Sequence, residues 1–85
     1  MSPRDVPPDW DAYLRRLGIA LQRERARNGL TQEAVAHAAG ITRSHYQQLE
    51  KGLSRPGRVA NPTLMTLVAL SDVLDVPLEQ LLQGG

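Results

Sequence analysis

Residues 43 to 48 read Arg43-Ser44-His45-Tyr46-Gln47-Gln48, a run rich in side chains that hydrogen-bond in two directions at once. On a helix of 3.6 residues per turn, Arg43 with Gln47 and Ser44 with Gln48 are i,i+4 pairs, so all four line one face, opposite Tyr46 and Leu49. That face has the chemistry of nucleobase readout. Arginine pairs bidentately with O6 and N7 of guanine, glutamine with N6 and N7 of adenine, and serine serves either, each good pair discriminating by about 1–3 kcal/mol. Arginine, serine and glutamine are also ordinary on a solvated helix, and without their surroundings that plainer reading is the better one. The surroundings therefore decide.

Thr42 is a good N-cap for the helix that carries these residues, and Gly52 stops it. A shorter helix precedes it, Gln32 to Ala39, capped by Thr31 and stopped by Gly40, with Ala34, Val35, Ala38 and Ala39 small enough for close approach by a neighbour. Two short helices joined by a turn with glycine and Ile41 cannot bury their own apolar faces and need a scaffold. One is at hand. From an Asp9 cap and Trp10, the apolar positions Tyr13, Leu14, Leu17 and Leu21 recur at helical spacing until Asn28-Gly29. After an aperiodic loop from Leu53 to Ala60, Asn61-Pro62 signals a fourth helix bearing Leu64, Leu67, Val68, Leu70, Val73 and Leu74. Asp75-Val76-Pro77 breaks it, and Leu78, Leu81 and Leu82 suit a short fifth helix. Trp10 and Tyr13 read as core residues tying the first helix to the last.

At 85 residues the chain can close one hydrophobic core. The reading is an all-α, five-helix domain over residues 9–83, preceded by a proline-rich, flexible arm over residues 1–8. Charge is unevenly placed. Although the net charge is only +1, Arg15, Arg16, Arg23, Arg25, Arg27, Arg43, Lys51, Arg55 and Arg58 face only Glu24, Glu33 and Glu50 in the central segment, leaving both ends acidic. A phosphate-binding surface produces such a pattern, as does a solvated basic helix. The absence of cysteine removes disulfides and thiolate zinc sites and fits a reducing compartment, the cytoplasm. No apolar run is long enough for a membrane span, and no secretion signal is expected in Met1 to Asp11. His37 and His45 stand eight apart without an acid at ligand spacing, so no metal or other cofactor is expected. No nucleophile context and no glycine-rich phosphate loop points to an enzyme.

The stretches GLTQEAVAHAAGITRSHYQQLEKG and NPTLMTLVALSDVLDVPLEQLL resemble the Cro and C1-type repressor family, also called the XRE family, across Leu17 to Leu82. The resemblance implies a lambda-repressor-like fold whose third helix lies in the DNA major groove. Carried over by position, it makes Arg43, Ser44 and Gln48 base-contacting, with Gln47 beside them. It also has Gln32 contact a phosphate and brace the start of the third helix, and it pairs Arg25 with Glu50 as a structural ion pair. Thr42, Lys51, Arg55, Arg58 and Asn61 are further candidates for phosphates. Three departures stand out: the long 53–60 connection, Tyr46 where a smaller aliphatic residue is usual, and Arg43 where several members carry a glutamine that meets the Gln32 amide.

The implied function is a sequence-specific, repressor-like transcriptional regulator, binding double-stranded DNA at a palindromic operator as a homodimer that one domain of this size forms in solution or only on DNA. The competing reading is an antitoxin-type protein-interaction module that binds DNA only with a partner, for which the 1–8 arm is the available extra sequence. A scaffold independent of nucleic acid is a further rival.

Overall fold

The computed structural model describes residues 10–52 and 62–83. Those residues form α1 (Trp10–Arg27), α2 (Gln32–Ala39), α3 (Arg43–Lys51), α4 (Leu64–Leu74) and α5 (Leu78–Gln83). The 1–8 arm, the Asp9 cap, the 53–60 loop with Arg55 and Arg58, and Asn61 lie outside the described residues.

Local chemistry sets the helix ends of the central unit. Thr31 and Thr42 have extended backbones, and their hydroxyls accept hydrogen bonds from the Ala34 and His45 N–H groups, each at 3.0 Å. These bonds satisfy donors that have no partner within the helix. Gly40 and Gly52 close the two helices with φ of 75° and 66°, a left-handed conformation that costs glycine nothing sterically. The α4 start differs from expectation. Thr63, not Asn61, is its N-cap, with the Thr63 hydroxyl accepting from Thr66 N–H at 3.1 Å, so Pro62 precedes the helix instead of opening it. A hydroxyl one residue before Leu64 satisfies the first turn directly, and the asparagine-proline signal is then one step too early.

Leu17 and Leu21 of α1, Val35 of α2, Tyr46 and Leu49 of α3, Leu70 and Leu74 of α4 and Leu81 of α5 meet in one core. Several apolar positions face elsewhere. On α2 the buried residues are Val35 and Ala36, while Ala34 and Ala38 are exposed; eight residues give only two turns, and the inward face rotates away from both alanines. On α4, Leu64 and Val68 are exposed, and the buried positions are Leu70 and Leu74 in its C-terminal half. Tyr13 is 47% exposed and Trp10 half-buried. Both border an apolar groove of about 310 Å³ that also touches Leu14, Leu67 and Leu82, so they form its wall and not the centre of the core.

The backbones of α1 and α3 cross in close contact. A Cβ on Gly18 would collide with the Glu50 carbonyl oxygen and lie 2.8 Å from that of Leu49. One on Gly52 would lie 2.9 Å from the Arg15 Cα. Glycine at both positions lets the two backbones approach closely, and this fixes where α3 sits on its scaffold.

Candidate nucleic-acid interface

The expected reading face is divided by the structure. Arg43, Ser44 and Gln48 are exposed on α3, and no hydrogen bond or ion pair ties their side chains to other described residues. Gln47 is half-buried and its amide donates to Gln32 Oε1 at 3.1 Å. The Gln32 amide in turn donates to Glu50 Oε1 at 2.8 Å. An amide brace from α2 to α3 therefore exists, but it meets residue 47, one turn beyond the position that Arg43 occupies. Glutamine has both a donor and an acceptor, which lets Gln32 serve Gln47 and Glu50 together.

Glu50 is the hub of this network. The Arg25 guanidinium donates through Nε to Glu50 Oε2 at 2.6 Å and through Nη2 to Oε1 at 3.2 Å, a two-pronged geometry that suits arginine to carboxylate. Its remaining nitrogen, Nη1, donates to the Leu30 carbonyl at 3.2 Å. Gln22 donates to the Glu50 backbone carbonyl at 2.9 Å. The Glu50 side chain is 3% exposed and that of Arg25 25%. Burial opposes ionisation of Glu50, yet hydrogen bonds from Arg25 and Gln32, together with the dipole of the nearby Tyr46 hydroxyl, outweigh it and hold its pKa below the usual carboxylate range. The same hydrogen bonding to Glu50 raises the Arg25 pKa against the opposing effect of burial.

Tyr46 fills the space beneath this pair and is fully buried. Its ring takes the depth where a smaller aliphatic residue was the usual occupant. The hydroxyl has no hydrogen-bond partner among the described residues, although it lies in the field of Glu50; burial first, and then that carboxylate, pushes its pKa well up.

Of the expected phosphate contacts, Thr42 and Lys51 are exposed at the two ends of α3. Gln32 has its side chain engaged within the fold, and its backbone N–H, at the first position of α2, is one of the donors that a helix start leaves for an outside acceptor. Sequence reasoning missed three participants. Gly18, Gln22 and the buried Glu24 carry no periodic apolar signal, and only the apposition of α1 and α3 shows the purpose of the first two. His37 and His45 are exposed, and among the described residues no cluster of three histidine, cysteine or acidic side chains could hold a metal. None of the described helices is long and apolar enough to cross a membrane.

Known proteins match this arrangement. A helix-turn-helix family model matches residues 21–81. The crystal structure of the restriction-modification controller protein C.AhdI from Aeromonas hydrophila superposes with a TM-score of 0.72 at 30% sequence identity, over 82% of this chain and 97% of that one. A search of curated proteins returned no match. With most of its length covered by the family model and by a homologous controller fold, the chain belongs to the XRE-type helix-turn-helix family of DNA-binding transcriptional regulators.

Proposed function

We propose that the protein is a sequence-specific, repressor-like regulator that inserts α3 into the major groove, with Arg43, Ser44 and Gln48 touching base edges. The observation that carries this reading is the contrast along α3. Gln47 and Glu50 are held to α2 and α1 by a continuous chain of hydrogen bonds, whereas Arg43, Ser44 and Gln48 project without partners among the described residues. Rigidly supported side chains with unused donors and acceptors are what direct readout needs. Gln47 is assigned a positioning role first, because one N–H of its amide is already committed to Gln32. Thr42, Lys51 and the Gln32 backbone N–H contact phosphates, with Arg55, Arg58 and Asn61 as candidates in the segment that follows α3.

The protein acts as a homodimer on a palindromic operator, with half-sites about 34–36 Å apart if each takes one α3. Exposed Leu64, Met65, Val68 and Leu82, together with the groove beside Tyr13, supply apolar surface for such a contact. Operator occupancy in the cytoplasm then controls access of polymerase.

Selection of bound duplexes from a random DNA pool tests this. A two-fold motif is expected, and Arg43→Ala relaxes preference at one base position per half-site. A pool that yields no motif, or relaxation spread over all positions, overturns direct readout by Arg43. Sedimentation of Leu82→Glu, with and without operator, checks the dimer: weaker self-association is expected, and an unchanged profile removes this surface from the interface.

A further inference from the structure

We propose that Arg15, on α1, is a DNA phosphate-binding residue acting beside Lys51 at the C-terminal end of α3. The inference rests on the reading that α3 occupies the major groove.

Four arginines on α1 are exposed, and they are not equivalent. Arg16 stacks over the Tyr13 ring, 4.6 Å from its centroid. Arg23 lies 3.6 Å from the Glu24 carboxylate, and Arg27 donates to Glu24 at 2.6 Å and to carbonyls at the end of α4. Arg15 is exposed and has no hydrogen bond, ion pair or ring contact with the other described residues. Its position is also distinct. The Arg15 backbone packs against Gly52, so closely that a Cβ there would lie 2.9 Å from the Arg15 Cα. Gly52 directly follows Lys51, which is exposed. Two exposed cations on different helices, without partners among the described residues, thus flank the point where the chain leaves α3.

Helical phase sets this arginine apart. Gly18, Gln22 and Arg25 mark the side of α1 that meets α3, through the Gly18 apposition and the bonds from Gln22 and Arg25 to Glu50. Arg15 is three residues before Gly18 and seven before Gln22, on the edge of that side, whereas Arg16 and Arg23 form an i,i+7 pair rotated away from it. When a recognition helix lies in the major groove, its two ends approach the two phosphate backbones that border the groove. The backbone N–H at the start of α2 serves one border, and Arg15 with Lys51 serves the other. A charge resting only against the α3 carbonyl end is the alternative use of Arg15.

The salt dependence of binding separates the two. Affinity of the full chain is measured against ionic strength on the duplex selected from the random pool and on an unrelated duplex. Arg15→Gln is expected to reduce the slope of log affinity against log salt by about 0.9 per protomer on both duplexes, with the selected motif and the melting temperature unchanged. Arg15→Lys restores the slope, and Arg16→Gln leaves it alone. An unchanged slope for Arg15→Gln, or a lowered melting temperature with the slope retained, overturns the proposal and assigns Arg15 to the fold. A pool without a motif overturns base readout instead, and the slope on the unrelated duplex then still decides whether Arg15 meets phosphate.

Discussion

Two arginine–glutamate pairs leave the C-terminal half of α1 in different directions, and they are built differently. Arg25 meets Glu50 on the side of α3, with side-chain exposures of 25% and 3%. Glu24 meets Arg27 on the opposite flank, with exposures of 6% and 53%. Neighbouring residues on a helix point about 100° apart, so Glu24 and Arg25 serve separate interfaces. The first pair joins α1 to α3 and, through Gln32, to α2. The second joins α1 to the end of α4, because Arg27 donates to the Leu74 and Asp75 carbonyls and Asn28 bridges the carbonyls of Glu24 and Leu74. The reading helix is thus held by an enclosed ion pair, and the rear of the scaffold by backbone carbonyls and an open arginine. Enclosure makes the loss of a partner costly, while an open pair is screened and replaced by water.

Arg25→Ala strands the Glu50 carboxylate in a site it can no longer ionise cheaply, and a loss of about 3–5 kcal/mol is expected. In a domain of this size that lowers the melting temperature by roughly 12 °C or more, measurable by thermal circular dichroism. A variant that melts like the parent removes the distinction between the two pairs. The pH dependence sharpens it. Because the folded-state pKa of Glu50 is lowered, its contribution is present above the ordinary carboxylate range and lost as pH falls through the lowered value. Acid sensitivity should therefore shrink in Glu50→Gln relative to the parent. Gly18→Ala comes next, at about 2–3 kcal/mol, since the added methyl meets backbone carbonyls that cannot move aside as a flexible side chain would. It should also weaken DNA binding by displacing α3, and equal operator affinity for this variant would separate the α1–α3 crossing from recognition.

The contrast between the pairs also explains which parts of the molecule were legible in the sequence. Caps and stops are local, so Thr31, Gly40, Thr42 and Gly52 announce α2 and α3 without tertiary information. Arg25 and Glu50 were legible only through family position, for no periodicity links residues 25 apart. Glu24 was not, because its side-chain partners are Arg23 and Arg27, one and three residues away on the same helix, a pattern shared with any solvated helix. Gln47 has the right type and phase for base contact, and its diversion to Gln32 depends on how far α2 approaches α3. Thr63 outcompeting Asn61 at the start of α4 is similarly a choice between two adequate capping residues. Gly18 carries no local signal, because its role depends on the Glu50 carbonyl packed against it from another helix.

The rear pair supplies the contrasting prediction. Arg27→Ala is expected to cost only about 1 kcal/mol, because its side chain is half-exposed and Arg23 stays 3.6 Å from the Glu24 carboxylate, and to leave operator affinity unchanged in a titration where Arg25→Ala weakens it. A loss as large as that of Arg25→Ala would mean that the α1–α4 tie carries the fold as strongly as the α1–α3 tie.

The smallest effect is expected beneath the Arg25–Glu50 pair. Tyr46 buries a hydroxyl without a hydrogen-bond partner among the described residues, and an unsatisfied buried polar group costs about 1–3 kcal/mol. Tyr46→Phe keeps the ring and removes that group, so urea unfolding near neutral pH should show stability unchanged or raised by up to about 1 kcal/mol. At alkaline pH the two proteins should part further. The raised folded-state pKa of Tyr46 means its contribution is complete below the ordinary tyrosine value of about 10 and is lost as pH climbs above it, because the unfolded chain ionises first. Tyr46→Phe lacks that group and should lose less stability between neutral pH and pH values above about 10. A phenylalanine variant destabilised by about 1 kcal/mol or more near neutral pH would show that the hydroxyl supports Glu50 as a donor and belongs to the network that holds the reading helix.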